Sequence, residues 1–259
     1  MDWGLDNRLN RILKPETGRT VMLAIDHGYF LGPTSGLERP GETIEPLLPY
    51  ADSLMLTRGV LRRCVPSQTD IPIVLRMSGG TSILTDLSNE GLTVAIEDAI
   101  RLNVSAITLS IFVGAEGERE TLLNLAKLVD AGRRYGLPVL AVTAVGKEMT
   151  RDARYLGLAC RIAAELGADM VKTYHCDGFD EIVRGTPVPI VIAGGKKIEE
   201  RAAIELAHRA IADGASGVDM GRNIFQSDCP VGMIRAVRAV VHEGVDVKDA
   251  LEIYRAEKG

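Results

Sequence analysis

Lys172 is the residue whose position in this sequence best suits covalent chemistry. It lies in Ala168-Asp-Met-Val-Lys-Thr-Tyr174, at the carboxyl end of an apolar run that indicates a buried strand. Burial disfavours the charged form of an amine, and a neutral amine can attack a carbonyl carbon. Because most lysines face solvent, the position alone leaves a surface cation as the alternative. Lys147, in Val145-Gly-Lys-Glu148, is a second candidate amine, although such loop lysines are more often solvated cations.

Asp26 is the carboxylate that could assist such an amine. It ends another apolar run, in Met22-Leu-Ala-Ile-Asp-His-Gly28, where it could act as a general acid or base or orient another group. An aspartate before glycine is also common as a turn former or helix cap, so the local sequence leaves both interpretations open. For the adjacent His27, a hydrogen-bonded structural histidine is the favoured interpretation.

Two glycine-and-cation segments late in the chain suggest an anion site. They are Gly194-Gly195-Lys196 and Gly221-Arg222, and each is expected to lead from a strand into a helix. Glycine lets backbone N–H groups approach an anion, and a helix N-terminus and a cation add attraction. A tight turn with a solvated cation would explain either segment alone. The two together favour a phosphate site made of Gly194, Gly195, Lys196, Gly221 and Arg222.

The segment His175-Cys-Asp177 resembles a metal-binding cluster only superficially. The chain has four histidines, and none has the spacing of a paired metal ligand. Cys176 has no base nearby in the sequence that would activate it as a nucleophile. We therefore expect neither a metal site nor a catalytic cysteine.

Composition limits the classes of protein to which the chain can belong. Of its 259 residues, 46% are apolar and 25% are charged, which suits a globular protein with a large core. The net charge of −5 argues against a general nucleic-acid-binding protein. No signal peptide is visible and no apolar run approaches the ~18 residues of a membrane span, so no membrane partner is expected. The four cysteines are scattered, which favours reduced thiols in a cytoplasmic protein.

The candidate residues lie at the ends of eight short runs that are rich in Val, Ile and Leu. These runs are almost continuously apolar, as is typical of strands covered on both faces of a parallel sheet. The predicted strands are Val21–Asp26, Ser53–Thr57, Ile71–Arg76, Ala106–Ser110, Pro138–Thr143, Met170–Thr173, Pro189–Ala193 and Gly217–Met220.

Helical patterns separate these strands, and no low-complexity linker interrupts the alternation. We therefore predict a single (β/α)8 TIM barrel that forms one catalytic domain over residues 1–259. A doubly wound open sheet is the main alternative, but it usually has fewer strands, and the first strand–helix turn lacks the G-x-G-x-x-G motif. In a barrel, Lys172, Asp26 and both glycine segments would meet at the carboxyl ends of the strands.

Four motifs in the same order resemble the class I aldolase barrel family that includes archaeal-type fructose-bisphosphate aldolase. The resemblance extends from about Trp3 to the C-terminus. It implies a Schiff base on Lys172, proton transfer assisted by Asp26 and phosphate binding by the last two strand–helix loops. It also implies ring-like homo-oligomers, often of ten subunits, and no bound cofactor. The motifs are Met22-Leu-Ala-Ile-Asp-His-Gly28, Val171-Lys-Thr173, Val191-Ile-Ala-Gly-Gly-Lys196 and Gly221-Arg-Asn-Ile-Phe-Gln226.

Within this family the chain most closely resembles the thiolases of autoinducer-2 catabolism, a process linked to quorum sensing. Its Asp2-Trp-Gly4 and Ser216-Gly-Val-Asp-Met-Gly-Arg-Asn-Ile-Phe-Gln-Ser-Asp228 segments are very similar to theirs. True aldolases carry a Tyr-Pro-Arg-Gly-type loop after strand five whose tyrosine donates a proton, whereas this chain has Thr143-Ala-Val-Gly-Lys147. The resemblance implies cleavage of 3-hydroxy-5-phosphonooxypentane-2,4-dione with coenzyme A, and Lys147 would assist or contact coenzyme A. A sugar-phosphate aldolase and a non-catalytic phosphometabolite-binding barrel are the alternatives.

Overall fold

The structure, a computed structural model, describes residues 2–145 and 150–259. Eight parallel strands form a closed barrel in which each strand pairs with its neighbours in the chain and the last pairs with the first. This closure confirms the predicted (β/α)8 TIM barrel and excludes the open doubly wound sheet. The strands are β1 Thr20–Ala24, β2 Ser53–Leu56, β3 Ile73–Arg76, β4 Ala106–Val113, β5 Val139–Val145, β6 Met170–Thr173, β7 Ile190–Ala193 and β8 Gly217–Met220.

Helices surround the barrel, and the three longest of those between β4 and β8 pack on the strands through one buried stripe. In the longest helix the buried residues Thr121, Leu125, Leu128 and Gly132 recur at the three- and four-residue spacing of one helical face. The helices are α1 Trp3–Ile12, α2 Gly28–Leu31, α3 Pro40–Ile44, α4 Arg58–Cys64, α5 Ile96–Arg101, α6 Glu118–Tyr135, α7 Ala153–Glu165, α8 Phe179–Gly185, α9 Glu200–Ala212, α10 Arg222–Phe225, α11 Pro230–Arg238 and α12 Val247–Lys258. Among the described helices we find none with the length and apolar character that a membrane span requires.

Three short elements complete the fold. A 3-10 helix at Glu45–Tyr50 precedes β2, and a π-helix at Ala239–Glu243 follows α11. Ser78–Gly79 and Gly91–Leu92 pair as a small antiparallel sheet after β3. The segment between these two short strands brings Ser88 and Glu90 back to the barrel mouth, where both are buried.

The barrel interior changes from apolar to charged along the strands. Side chains of alternate strand residues point to the same face, so residues two positions apart share the interior. Met170 and Val74 belong to the apolar interior cluster, and two residues further on lie Lys172 and Arg76. The inward positions at the carboxyl end are therefore polar.

Helix α1 closes the opposite end of the barrel. Asp2 caps it by accepting hydrogen bonds from the backbone N–H groups of Gly4 and Leu5. At its other end Ile12 and Leu13 pack into the same interior cluster as the strand residues. With this end covered, the interior opens only toward the carboxyl ends of the strands among the parts of the chain that the structure describes.

Candidate active site

A cavity of about 860 Å³ lies at the carboxyl ends of the barrel strands, where TIM-barrel enzymes hold their active sites. It brings together most of the residues that the sequence singled out, although they come from distant parts of the chain. Lys147 lies outside the described residues. The predicted residues in the cavity lining are Asp26, Lys172, Gly194, Gly195, Lys196, Gly221 and Arg222.

Lys172 reaches the floor of this cavity from the end of β6. Its side chain is only 10% exposed, and its Nζ lies 2.9 Å from Oδ2 of Asp219, at the end of β8. Strand β6 is held between β5 and β7, so the backbone of Lys172 pairs with Val142 and Val191. The amine is therefore positioned by the rigid part of the fold and not by a loop.

Asp26 also lies in the floor, but its carboxylate is bound by an arginine. Its Oδ2 accepts hydrogen bonds from Nε and Nη2 of Arg76, at 2.9 and 2.7 Å. Burial raises the pKa of Asp26, but the charges of Arg76, His27 and Lys172 outweigh it and hold that pKa below its ordinary value. The side chain does not cap a helix: the residue before α2 is His27, and it makes no side-chain cap.

Arg76 connects Asp26 to a buried polar network on the β3–β4 side. Its Nη1 donates to Oγ of Ser110 at 2.8 Å. Glu90 accepts hydrogen bonds from the Ser78 and Tyr29 hydroxyls, both at 2.6 Å. The Arg76 guanidinium also lies over the Tyr29 ring, 5.1 Å from its centroid. In this network Asp26 pairs with the buried Arg76 cation, while the buried Glu90 carboxylate is held by two hydroxyl groups.

The glycines on the β7–β8 side have no side chain, so their backbone lines the cavity directly. Gly195 has φ +71°, in the left-handed region that favours glycine. A Cβ at Gly221 would lie 2.3 Å from the carbonyl oxygen of Ala24, so no larger residue fits there without displacing backbone. Asn223 holds the two loops together, because its Nδ2 donates to the Gly194 carbonyl at 2.6 Å.

The expectation that a helix directly follows each glycine segment is correct for one of them only. Helix α10 begins at Arg222, but it has four residues. Helix α9 begins only at Glu200, because Asn223 Oδ1 accepts the backbone N–H of Ile198 and keeps the preceding residues in a loop. Any anion site here therefore depends on loop amides and cations more than on helix dipoles.

Arg222 is a cation that forms no ion pair with any described residue. Its Nε is buried and donates no hydrogen bond within the described part of the protein. Burial lowers the pKa of Arg222, nearby Arg151 lowers it further, and Tyr174 opposes both. The Arg151 guanidinium stacks 3.8 Å from the centroid of the Tyr174 ring, and Lys196 is exposed at the rim. An anion bound beside Arg222 would accept a hydrogen bond from its Nε and would offset the repulsion between Arg222 and Arg151.

Other candidates from the sequence lie elsewhere. His175 binds Asp213 through Nε2 at 2.7 Å and does not line the cavity, and neither does Cys176. Within residues 2–145 and 150–259 no cluster of His, Cys, Asp and Glu could hold a metal ion.

Sequence reasoning assigned no role to several residues of this site. Arg76 and Asp219 end apolar runs, so the same rule that identified Lys172 marks their positions. Glu90 and Tyr29 gave no such signal, because each lies in the segment after a strand and reaches the site only through the folded path of that segment.

The family can be identified from the whole chain. The sequence pattern of the DeoC/LacD family aldolases matches residues 20–227. The chain belongs to this family. This membership confirms the predicted aldolase relationship and an enzymatic function.

Individual relatives of this DeoC/LacD protein agree with that assignment. A 3-hydroxy-5-phosphonooxypentane-2,4-dione thiolase of Photorhabdus laumondii subsp. laumondii is 58% identical over 259 residues, which cover 100% of this chain and 89% of that protein. The thiolase of the same name from Klebsiella pneumoniae is 59% identical, with 100% and 88% covered. An archaeal fructose-1,6-bisphosphate aldolase, solved with its catalytic Lys covalently bound to the carbinolamine intermediate of the substrate, superimposes with a TM-score of 0.83 at 25% identity. The match covers 92% of this chain and 99% of that one.

Proposed function

We propose that this protein is a thiolase that cleaves 3-hydroxy-5-phosphonooxypentane-2,4-dione with coenzyme A. The products would be acetyl-CoA and dihydroxyacetone phosphate. The observation that carries the proposal is the position of Lys172, a buried amine in the floor of a cavity that is also lined by Arg222, whose buried Nε donates no hydrogen bond to any described residue. The full-length similarity to thiolases of that name supports the choice of substrate. We also propose that residues 1–259 form one catalytic domain.

The phosphate end of the substrate would bind on the β7–β8 side. Backbone amides near Gly195 and Gly221, the Arg222 guanidinium and the rim cation Lys196 would hold it, with Gly194 as part of the same loop. The adjacent ketone carbon would then lie at Lys172, which would condense with it to form an iminium and release water. The iminium is an electron sink for the next bond to break.

Cleavage would then follow attack of the coenzyme A thiolate on the acetyl carbonyl. The bond between C2 and C3 of the diketone breaks, and its electron pair is delocalised into the iminium as an enamine. Protonation of C3 and hydrolysis of the iminium would release dihydroxyacetone phosphate and restore Lys172. Asp26 would orient the substrate and assist proton transfer, and Lys147 is proposed to contact coenzyme A or assist. No resident cofactor is needed, because coenzyme A is a substrate.

A class I aldolase acting on a sugar bisphosphate is the alternative, and one observation disfavours it. In an eight-stranded barrel β3 and β4 face β7 and β8, so the second phosphate of a bisphosphate would reach the β3–β4 side. The cavity lining on that side includes the carboxylates of Asp86, Glu90 and Glu116. Its cation Arg76 is already engaged by Asp26 and Ser110. An uncharged acetyl end fits this side better than a second phosphate.

The deciding experiment is incubation with the phosphorylated diketone in the presence and absence of coenzyme A. We expect acetyl-CoA and dihydroxyacetone phosphate in equal amounts only when both substrates are present. Release of dihydroxyacetone phosphate without coenzyme A, or rapid cleavage of fructose 1,6-bisphosphate, would favour the aldolase instead.

Borohydride trapping tests the covalent step separately. With the diketone or dihydroxyacetone phosphate, we expect one reduced adduct per chain, located on Lys172 by peptide mass analysis. Lys172→Met should abolish the adduct, whereas Lys127→Met, on the exposed face of α6, should leave trapping and turnover unchanged. Binding without any adduct or turnover would favour a non-catalytic phosphometabolite-binding barrel.

We further propose that the protein acts in autoinducer-2 catabolism, in the cytoplasm, as a ring-like homo-oligomer such as a decamer. The scattered cysteines support the cytoplasmic location, and the resemblance of the sequence motifs to the autoinducer-2 thiolases supports the pathway and the assembly. Light scattering of the purified protein tests the assembly, since a ten-subunit particle would have about ten times the 27.9 kDa mass of one chain.

A further inference from the structure

Asp219 is a second carboxylate at the reacting amine, and its surroundings differ from those of Asp26. It lies on β8, two strands from Lys172 on β6, and inward side chains of alternate barrel strands share one layer. Its side chain is 0% exposed, and its Oδ2 lies 2.9 Å from Lys172 Nζ. Neither carboxylate oxygen accepts a well-directed hydrogen bond from any described residue. Among the described residues, Lys172 is thus the one cation within ion-pair distance of Asp219.

Asp26 is less available for proton exchange. Its Oδ2 is occupied by two hydrogen bonds from Arg76, a group that stays protonated. Proton transfer from Asp26 would have to oppose the field of that guanidinium. No arginine forms an ion pair with Asp219 among the described residues, and its neighbour at 2.9 Å is the reacting amine itself.

We propose that Asp219 is the catalytic acid–base residue that exchanges a proton with the Lys172 amine during formation and hydrolysis of the Schiff base. The inference rests on the Schiff-base step of the proposed function. It assigns to Asp219 a role that the sequence alone had suggested for Asp26.

The proton needed for this step comes from Lys172 and is carried by Asp219, so no other group has to supply one. A proton passes from the Lys172 ammonium to the Asp219 carboxylate, which leaves a neutral amine beside a carboxylic acid without changing the net charge. The amine attacks the ketone carbon and gives a carbinolamine once the proton on nitrogen has moved to oxygen. Asp219 then donates its proton to the carbinolamine hydroxyl, which leaves as water, and the new iminium faces the regenerated carboxylate. Hydrolysis runs through the same steps in reverse.

The electrostatics of the site are consistent with this division of roles. Burial raises the pKa of Asp219 and repulsion by Asp26 adds to it, while the charges of Lys172 and Arg76 oppose the rise. These three groups, from β6, the end of β1 and β3, are the charged side chains that act on it most strongly. The two carboxylates therefore have pKa values shifted in opposite directions, a pattern that separates an ionised carboxylate from a proton donor.

Borohydride trapping under time-resolved quenching tests the assignment. Dihydroxyacetone phosphate is the probe, and the intact mass of the chain reports imine formation. We expect Asp219→Asn to slow trapping at least about 100-fold, the usual loss when a general acid–base group is removed. The matched control is Asp130→Asn, an exposed carboxylate on α6, which should leave the rate of trapping unchanged.

Chemical rescue distinguishes proton transfer from a structural role. Asp219→Ala leaves space beside Lys172, and formate should restore trapping at least tenfold while chloride does not. The rescue also applies if Asp219→Asn fails to fold. Trapping in Asp219→Asn within threefold of wild type, or no formate rescue in a folded Asp219→Ala, would overturn the role of Asp219 while leaving the thiolase proposal intact. No adduct in the wild-type protein would overturn both.

Discussion

Asp26 and Arg76 form an ion pair inside the barrel, in which Nε and Nη2 of Arg76 both donate to one carboxylate oxygen, at 2.9 and 2.7 Å. Both side chains are almost completely buried, at 6% and 4% exposure. Each ion therefore depends on the other, since an unpaired charge in this position would carry its full desolvation cost. The pair fixes the carboxylate in the cavity floor and keeps it ionised.

Removing Arg76 should therefore destabilise the protein strongly. We expect Arg76→Met to lower the free energy of unfolding by about 3–5 kcal/mol, because Asp26 is left as an uncompensated buried charge. Urea unfolding measures the change. Adding Asp26→Asn to this variant should restore part of the loss, since the orphan charge is then removed.

The matched control for that experiment is the exposed pair of Arg161 and Glu165 on α7. Arg161→Met should cost less than about 1 kcal/mol, as exposed ion pairs usually do. Equal losses at Arg76 and Arg161, or simple additivity of the Arg76 and Asp26 changes, would contradict the coupling.

Arg222 offers a test of the phosphate site. Replacing it with Met removes one charge-assisted hydrogen bond to the anion, which is worth about 1.5–3 kcal/mol. We expect KM for the phosphorylated substrate to rise about 10- to 100-fold, with kcat changed only a few-fold, because phosphate binding is the same before and during the reaction. Arg201→Met, on the exposed side of α9, is the control that should change neither constant. An unchanged KM in Arg222→Met would place the phosphate elsewhere.

The strand positions, and with them the main site residues, could be predicted from the sequence because they follow from local patterns. Buried parallel strands are continuous apolar runs, so the bounds of β6 and β8 match the prediction at both ends. The residues that follow such runs, including Lys172 and Asp26, were expected at one end of the barrel, and the structure brings them there. The carboxyl end of β4 was placed less well, since this strand continues three residues beyond the predicted Ser110.

The pairing of these residues could not be predicted in the same way. Which carboxylate contacts Lys172 depends on the positions of three strands around the closed barrel, and these are set by packing over the whole interior. The sequence suggests Asp26 as the carboxylate that serves the amine, whereas Asp219 is the carboxylate that lies 2.9 Å from Lys172 Nζ. Glu90 reaches the site through a long segment after β3, whose path no periodic pattern specifies.

His27 provides a test that depends on pH. Burial lowers its pKa to about 4, because the charged ring would be desolvated, although the Asp26 charge opposes this shift. Its Nδ1 accepts or donates no hydrogen bond within the described structure, and its ring packs edge-on against Phe225 at 5.6 Å between centroids. The folded protein therefore holds this histidine neutral at neutral pH.

The stability of the protein should fall with pH because the pKa of His27 is lower in the folded protein than in the unfolded chain. In the unfolded chain the histidine has a pKa near 6.5, so as the pH falls from 6.5 to 4 the unfolded chain takes up a proton that the folded protein does not. Relative to His27→Gln, the wild-type protein should lose about 3 kcal/mol of stability across this range and nothing further below it. Urea unfolding of both proteins at several pH values measures the difference. If the free energies of unfolding of the two proteins changed equally with pH, the His27 ring would take up its proton as readily in the folded protein as in the unfolded chain.

Another buried carboxylate, that of Asp52, lies at the opposite end of the barrel and should affect stability without affecting catalysis. Asp52, just before β2, accepts hydrogen bonds at 2.7 Å from the backbone N–H of Val21 and from Arg238, and its Oδ2 lies 2.7 Å from Nε2 of His242. Burial raises the pKa of Asp52, but the hydrogen bonds of these three groups outweigh it and hold the pKa below its ordinary value. The carboxylate thus connects β1, β2 and the helical segment after β8.

We expect Asp52→Asn to lower the free energy of unfolding by about 3 kcal/mol or more at pH 7, because it leaves Arg238 and His242 without their anion. Since the folded pKa is depressed, this contribution is fully present above about pH 4 and is lost as the pH falls through the folded value, so the two proteins should converge in acid. Urea unfolding from pH 3 to 7 tests both points. Turnover below the melting temperature should stay within twofold of wild type, because Asp52 lies at the end of the barrel away from Lys172. A large fall in kcat with an unchanged unfolding curve would mean that this end of the barrel is coupled to the active site.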